Sequence, residues 1–149
     1  MEALRRKIEK KTNRDVLRVY RYTRSAVLLP LIRRQGEWRV LFEVRSESLK
    51  AQPGEICFPG GWVEAGEDEC ETAVRETCEE LRVPRSSIEV WGDLGILVTP
   101  FQQILYPFVG VLLRPELVDP NPLEVAEVFS LSLDDLLAAT PSYYEIPVC

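Results

Sequence analysis

Between Phe58 and Val83 the chain reads FPGGWVEAGEDECETAVRETCEELRV, and this stretch restricts the fold more than any other. Two glycines after a proline let the backbone approach something closely. From Asp68 the pattern turns helical: Cys70, Ala73, Val74, Thr77 and Leu81 recur at helical spacing, a stripe that predicts a helix of about three turns, ended by Pro84. Glu67, Asp68 and Glu69 stand near its start, where the helix dipole favours negative charge. Glu76, Glu79 and Glu80 are expected on one face opposite the stripe, and like charges at that spacing repel unless something cationic sits on them. Hard divalent cations prefer oxygen ligands, and Mg²⁺ in particular takes one or two carboxylates and completes its shell with water and substrate phosphates. Arg75, one turn before Glu79, is placed to hold that carboxylate, and the Gly60–Gly61 backbone to bring a carbonyl oxygen to the same ion.

A solvated charged face is the ordinary meaning of glutamates on a helix. Here, however, Gly61, Glu67, Arg75, Glu76, Glu79 and Glu80 stand at fixed spacing. Average composition produces such a match by chance about once in a million to ten million starting points.

The rest of the composition narrows the chemistry. The 149 residues include no histidine, which removes Ser-His-Asp and Cys-His nucleophilic sites and the usual zinc sites that carry histidine. Acid-base work then falls to carboxylates, with lysine, tyrosine or metal-bound water as lesser options. Cys57, Cys70, Cys78 and Cys149 show no CxxC pair, so buried thiols are expected rather than a disulfide framework. Hydrophobic residues make up 46% and charged residues 28%, the balance of a soluble globular protein, and no apolar run is long enough to span a bilayer. With no secretory signal, a cytoplasmic protein is expected. A net charge of −6 argues against binding a nucleic acid polymer or an anionic membrane. Residues 1–24 nonetheless hold nine Lys/Arg against three Asp/Glu, and read as a basic, partly helical segment docked on an acidic body. The length suits one domain over residues 1–149; the oligomeric state is open, a homodimer included.

Along the chain, Leu4, Ile8 and Val16 suggest a short amphipathic helix. SAVLLPLIRRQGEWRVLFEVRS reads as two strands around a Gln-Gly-Glu turn, and residues 46–57 as a loop with a short extended piece. IEVWGDLGILVT and LYPFVGVLL read as strands, and AEVFSLSLDDLLAAT as a strand entering a short helix with Ser132 and Asp135 at capping spacing. Helices falling between strands in mixed order predict an α/β domain: a mixed sheet flanked by helices.

GWVEAGEDECETAVRETCEELRV resembles the Nudix box of hydrolases that split a nucleoside diphosphate linked to another moiety. It departs at Thr77, a usually aliphatic place, and at Arg82, a usual glycine. The resemblance implies a Nudix-type α/β/α sandwich and divalent Mg²⁺ or Mn²⁺ on Glu76, Glu79 and Glu80, helped by a Gly60 carbonyl. Gly61, Glu67 and Arg75 would then support the loop and helix. Glu76 and Glu79 are the catalytic candidates, with Glu79 the first choice as base; Glu124 and Glu127, near the strand at Val128, are rivals from a loop.

Upstream, LFEVRSESLKAQPGEICFPGG resembles the motif of the coenzyme A diphosphatase branch, through Arg45-Ser46, Lys50, Gly54 and Phe58 to Gly61; Gln52 stands where a histidine is common. Arg45 and Lys50 are candidate phosphate contacts. That branch continues into a further strand and helix beyond the SYYEIPVC at which this chain stops, so a shortened C-terminus is expected. The expected activity is metal-dependent cleavage of the diphosphate of coenzyme A or acyl-CoA, with a small nucleoside diphosphate derivative as partner. Hydrolysis of ADP-ribose, dinucleotides or nucleoside triphosphates is the alternative, and a non-catalytic nucleotide-sensing module a further one.

Overall fold

The computed structural model of the chain describes residues 2–9 and 22–144. At its centre lies strand β1 (Thr23–Arg34), whose run AVLLPLI is apolar on successive residues because both of its faces are covered. Ala26, Leu28 and Ile32 enter one core, while Leu29 and Leu31 enter the other. A two-residue turn leads into β2 (Glu37–Arg45): Gln35 and Gly36 both take positive φ, 51° and 83°, the left-handed pair whose twist suits a tight hairpin.

Around this hairpin the sheet grows on both sides. β2 pairs with β3 (Ile56–Cys57) and with β8 (Val125–Ser132), and β1 runs parallel to β7 (Gln103–Leu112), which pairs antiparallel with β5 (Ile88–Asp93). Two short strands complete it, β4 (Gly60–Trp62) against β1 and β6 (Leu97–Val98) against β7. Two prolines sit inside inner strands, where a missing N–H ordinarily argues against a strand. Each falls where the strand changes partner. Pro30 lies between the stretch that pairs with β4 (Ser25–Val27) and the stretch that pairs with β2 (Leu31–Arg34), and Pro107 between the β6 partners and the β5 partners of β7.

Helix α2 (Glu69–Leu81) covers one face through Ala73, Val74 and Leu81. Asp68 caps it in a reciprocal box with Glu71. Its last residue is followed by Arg82 in the left-handed conformation, φ 50°, so the chain leaves the helix at the place where a glycine is usual. The loop after β7 closes this end: Asn121 N–H donates to the Glu80 carbonyl at 2.7 Å, Asp119 N–H to Leu81 at 3.0 Å, and the Arg82 guanidinium to Asn121 Oδ1 at 3.2 Å.

The other face is covered by α1 (Glu2–Glu9) and α3 (Leu133–Ala138), the latter capped by the Ser132 hydroxyl as expected. Helix α1 packs on this face: Ile8 is buried, and Arg5 pairs with Glu89 at 2.9 Å and stacks over Trp91. The result is an α/β/α sandwich around a mixed sheet.

Two expectations need correction. IEVWGDLGILVT is two strands, because Trp91 is the extra residue of a bulge and Gly95, φ 101°, turns the chain. Among the described cysteines, Cys57, Cys70 and Cys78 are half-buried rather than fully buried. Val16 and Cys149 lie outside the described residues.

Candidate functional site

The site forms where β4 delivers the glycines to the sheet-facing side of α2. A side chain on Gly60 would collide with the Ala26 carbonyl and with Val27, so only glycine lets β4 lie this close to β1. At Gly61 an added Cβ would occupy the space of the Glu76 carboxylate. The glycine pair thus sets the position of one carboxylate by contact, and of a second by hydrogen bond: Gly60 N–H donates to Glu80 Oε2 at 2.9 Å.

On the outer side, Arg75 gathers the other carboxylates. Its Nε donates to Glu67 Oε1 at 2.8 Å and Nη2 to Glu67 Oε2 at 3.1 Å, a bidentate pair; Nη1 reaches Glu76 Oε1 at 2.8 Å and Glu79 Oε2 at 3.3 Å. Nη2 also meets the Trp62 carbonyl at 3.4 Å, tying α2 to β4. The Arg75 fork and the Thr72 hydroxyl, 2.7 Å away, hold the Glu67 carboxyl at about 2, well below the usual range. Glu67, Arg75 and Glu76 are thus joined by hydrogen bonds beside Gly61.

The inner side differs. Glu80 does not stand opposite the apolar stripe: it is 4% exposed, because α2 is wedged between β1 and β4 and its buried face is wider than the stripe. Its carboxyl is pushed up, first by burial and then by the negative charge of Glu43. Glu43, on β2, is 1% exposed and also pushed up by burial, with Glu124 and Glu76 adding repulsion that Arg45 offsets in part. Burial likewise raises Glu76, against the pull of Arg75.

Glu43 is absent from the sequence expectations. A signal was present: it lies two residues after Leu41 on a strand, and a core leucine carries its i+2 neighbour to the same face. Of the rival loop carboxylates, Glu124 is the one whose charge acts on Glu43, Glu76 and Glu80, and Asn121 Nδ2 holds it at 2.7 Å. Glu127 is exposed on β8 opposite Val44. Glu79 is 53% exposed, so it faces solvent at the rim. Arg45 lies at the end of β2 with Nε on the Ala51 carbonyl at 3.3 Å, and Lys50 is exposed on the loop that follows. Ser46 N–H bonds the Glu124 carbonyl at 2.8 Å, joining that loop to the acidic cluster.

Carboxylates held this close in a poorly solvated place require either protons or a cation. One oxygen, Glu43 Oε2, is fully buried with no hydrogen-bond partner. Oxygen donors with an orphaned lone pair fit a hard divalent ion. Among the described residues no three His, Cys, Asp or Glu side chains stand close enough together to hold a metal ion as they lie, so the fit is one of donor chemistry.

The fold and site define a class: an α/β/α domain that builds a carboxylate-rich centre where a glycine strand meets an acidic helix. The sequence profile of the NUDIX domain matches residues 21–146, and the chain belongs to that family. It is 37% identical over 116 residues to Nudix hydrolase 3 of Caenorhabditis elegans, covering 75% of this chain and 48% of that protein. It is 40% identical over 113 residues to the mouse peroxisomal coenzyme A diphosphatase NUDT7, covering 75% and 48%. The human mitochondrial coenzyme A diphosphatase NUDT8 is 38% identical over 117 residues, covering 76% and 50%. The chain spans about half the length of these relatives. Two of their names place them in peroxisomes and mitochondria, so the cytoplasmic expectation gains no support from them; among the described residues no helix is long and apolar enough to cross a membrane.

Among solved structures, the Nudix hydrolase RenU of M. smegmatis superposes with a TM-score of 0.64 at 21% identity, covering 79% of this chain and 74% of that one. The C. elegans Ap4A hydrolase binary complex gives 0.62 at 21%, covering 78% and 84%. These two likenesses speak for the fold.

Proposed function

We propose that this chain is a divalent-metal-dependent hydrolase that cleaves the diphosphate of coenzyme A or an acyl-CoA, yielding 3′,5′-ADP and a phosphopantetheine or its acyl derivative. The observation that carries this reading is the joining of two motifs into one place. The glycine strand and acidic helix meet the loop after Arg45, and the bond from Ser46 to Glu124 holds that loop against the carboxylates. The named activity of two relatives supports the substrate.

Glu76, Glu79 and Glu80, with the Gly60 carbonyl, would hold Mg²⁺ or Mn²⁺. When bound, the ion would neutralise phosphate oxygens and make water a better nucleophile at neutral pH. The chain's own residues do the remaining work. Arg75 pins Glu76 and Glu79 so that neither carboxylate swings away, and Arg45 and Lys50 contact phosphate or steer it inward. Water attacks one phosphorus, the bond to the bridging oxygen breaks, and the proton of the attacking water passes to a carboxylate. Glu79 is our choice for that acceptor, because it combines solvent access with a fixed position beside Glu76. Glu124 is next in line.

The test is hydrolysis of coenzyme A by the purified chain with and without Mg²⁺ or Mn²⁺, with products separated by chromatography. Metal-dependent release of 3′,5′-ADP is expected. Turnover of ADP-ribose or a dinucleotide with none of coenzyme A would overturn the substrate and leave the reaction class. Binding of nucleotide without turnover in any divalent metal would turn the chain into a sensing module.

A further inference from the structure

We infer that Glu43 is an additional carboxylate of the cation site, aimed into it by the Cys57 thiol and presenting Oε2 as an oxygen donor for a hard divalent ion. This rests on the metal-dependent reading above and adds to it a residue from outside the acidic helix and its glycine strand.

The position is set by strand geometry. Glu43 pairs with Cys57 of β3 on one side and Val128 of β8 on the other, so its side chain leaves the sheet on the α2 face at a place its backbone partners fix. On that face Leu41, Leu28 and Ala26 are core residues, and a carboxylate among them costs stability. An aliphatic or threonine side chain would serve the fold better there.

The two oxygens of the group are treated differently. The Cys57 thiol donates to Oε1 at 3.4 Å, whereas Oε2 is buried and has no partner. One oxygen is therefore fastened and the other left free. Nearby stand Glu80, Glu76 and Glu124, all acceptors once ionised, with Arg45 acting from the strand end. None of the three carboxylates can donate to Oε2 without taking up a proton. A divalent ion among them satisfies Oε2 and removes the repulsion together.

Binding of Mn²⁺ alone, followed by titration calorimetry and by loss of the free-ion electron paramagnetic resonance signal, tests this without reference to activity. Wild type is compared with Glu43→Gln, which keeps the shape of the side chain and removes its charge, and with Cys57→Ala. Loss of a ligand or of the group that orients one costs about 10- to 100-fold in metal affinity. Glu43→Gln is expected to weaken Mn²⁺ binding by about that factor, and Cys57→Ala by about 10-fold, the lower end of the range. The metal-free Tm of Glu43→Gln should equal or exceed that of wild type, because a buried like charge has gone.

If Glu43→Gln is unfolded by circular dichroism, Glu43→Thr, a strand-forming residue without a carboxylate, is read in its place with the same expectation. Unchanged Mn²⁺ affinity in the folded variant overturns the inference and leaves metal binding by the helix standing. Absence of Mn²⁺ binding by wild type overturns both, so the two failures are told apart by the wild-type titration.

Discussion

The two sides of helix α2 hold similar numbers of carboxylates under opposite conditions. On the outer side, Glu67, Glu76 and Glu79 share the Arg75 guanidinium, and the strongest of these contacts draws the Glu67 carboxyl down to about 2. On the inner side, Glu43 and Glu80 are nearly inaccessible, receive one thiol and one backbone N–H, and are pushed up by burial, Glu80 also by the charge of Glu43. Glu76 belongs to both, with one oxygen on Arg75 and the carboxylate lying over Gly61. The outer carboxylates are neutralised by a cation of the chain itself. The inner ones have none beside them, and perturbed carboxyls of that kind mark a candidate functional site.

The sharpest way to break this contrast is Glu80→Gln. Removing a metal charge at the reacting centre forfeits several kcal/mol of transition-state stabilisation, so turnover should fall by about two to four decades. The metal-free fold should hold or gain stability, since repulsion with Glu43 is relieved. Steady-state kinetics and thermal unfolding in a chelator check the two halves together. Normal turnover would show that the ion is held elsewhere.

Next in size is a pair of glycine variants that separate scaffold from site. Gly60→Ala drives a Cβ into the Ala26 carbonyl and Val27, atoms that cannot yield without moving β1, and should destabilise by about 2 kcal/mol or more. Gly61→Ala meets the far end of the Glu76 side chain, which gives way at the expense of its contact with Arg75. Its stability should change by less than about 1 kcal/mol while activity drops about 10-fold or more, because a displaced ligand is lost to catalysis and not to folding. Urea unfolding and kinetics on both variants decide it. Equal destabilisation by the two would show that Gly61 has no special tie to the site.

What the sequence revealed and what it hid follow the same division. The stripe of α2, its capped start, the Gln35-Gly36 hairpin and the Ser132 cap were legible because each depends on residues close in the chain. The outer site was legible for the same reason: Arg75 and its glutamates lie within a turn or two. The burial of Glu80 was not, because the width of a helix's buried face depends on what packs there. Glu43 was missed because its meaning depends on three other segments: β3, β8 and α2. The tolerance of Pro30 and Pro107 inside inner strands also depends on partners that change along each strand.

Arg75→Gln tests the outer side as scaffold. The guanidinium makes charge-assisted bonds to three carboxylates and one to a backbone carbonyl, and its side chain is 27% exposed. Its loss should cost about 1–3 kcal/mol, the usual worth of hydrogen bonds to charged groups, and should lower activity by releasing Glu76 and Glu79. Urea unfolding measures the first effect. A variant as stable as wild type would mean that the outer carboxylates are held by solvent alone.

The smallest expected effect concerns acid. Glu67 has its folded pKa lowered from 4.5 to about 2, first by Arg75 and then by Thr72, so folding favours its ionised form. A group depressed in this way contributes stability that is present above the unfolded value and is lost as pH falls from about 4.5 through about 2. Glu67→Gln lacks that dependence. At neutral pH the variant should therefore be modestly less stable than wild type, and the gap should close as the pH is lowered through that window. Urea midpoints for both proteins at several pH values between 7 and 2.5 measure the gap directly. A gap that stays constant throughout would show that the bidentate pair leaves the titration of Glu67 unchanged, and the outer side would then resemble an ordinary solvated helix face.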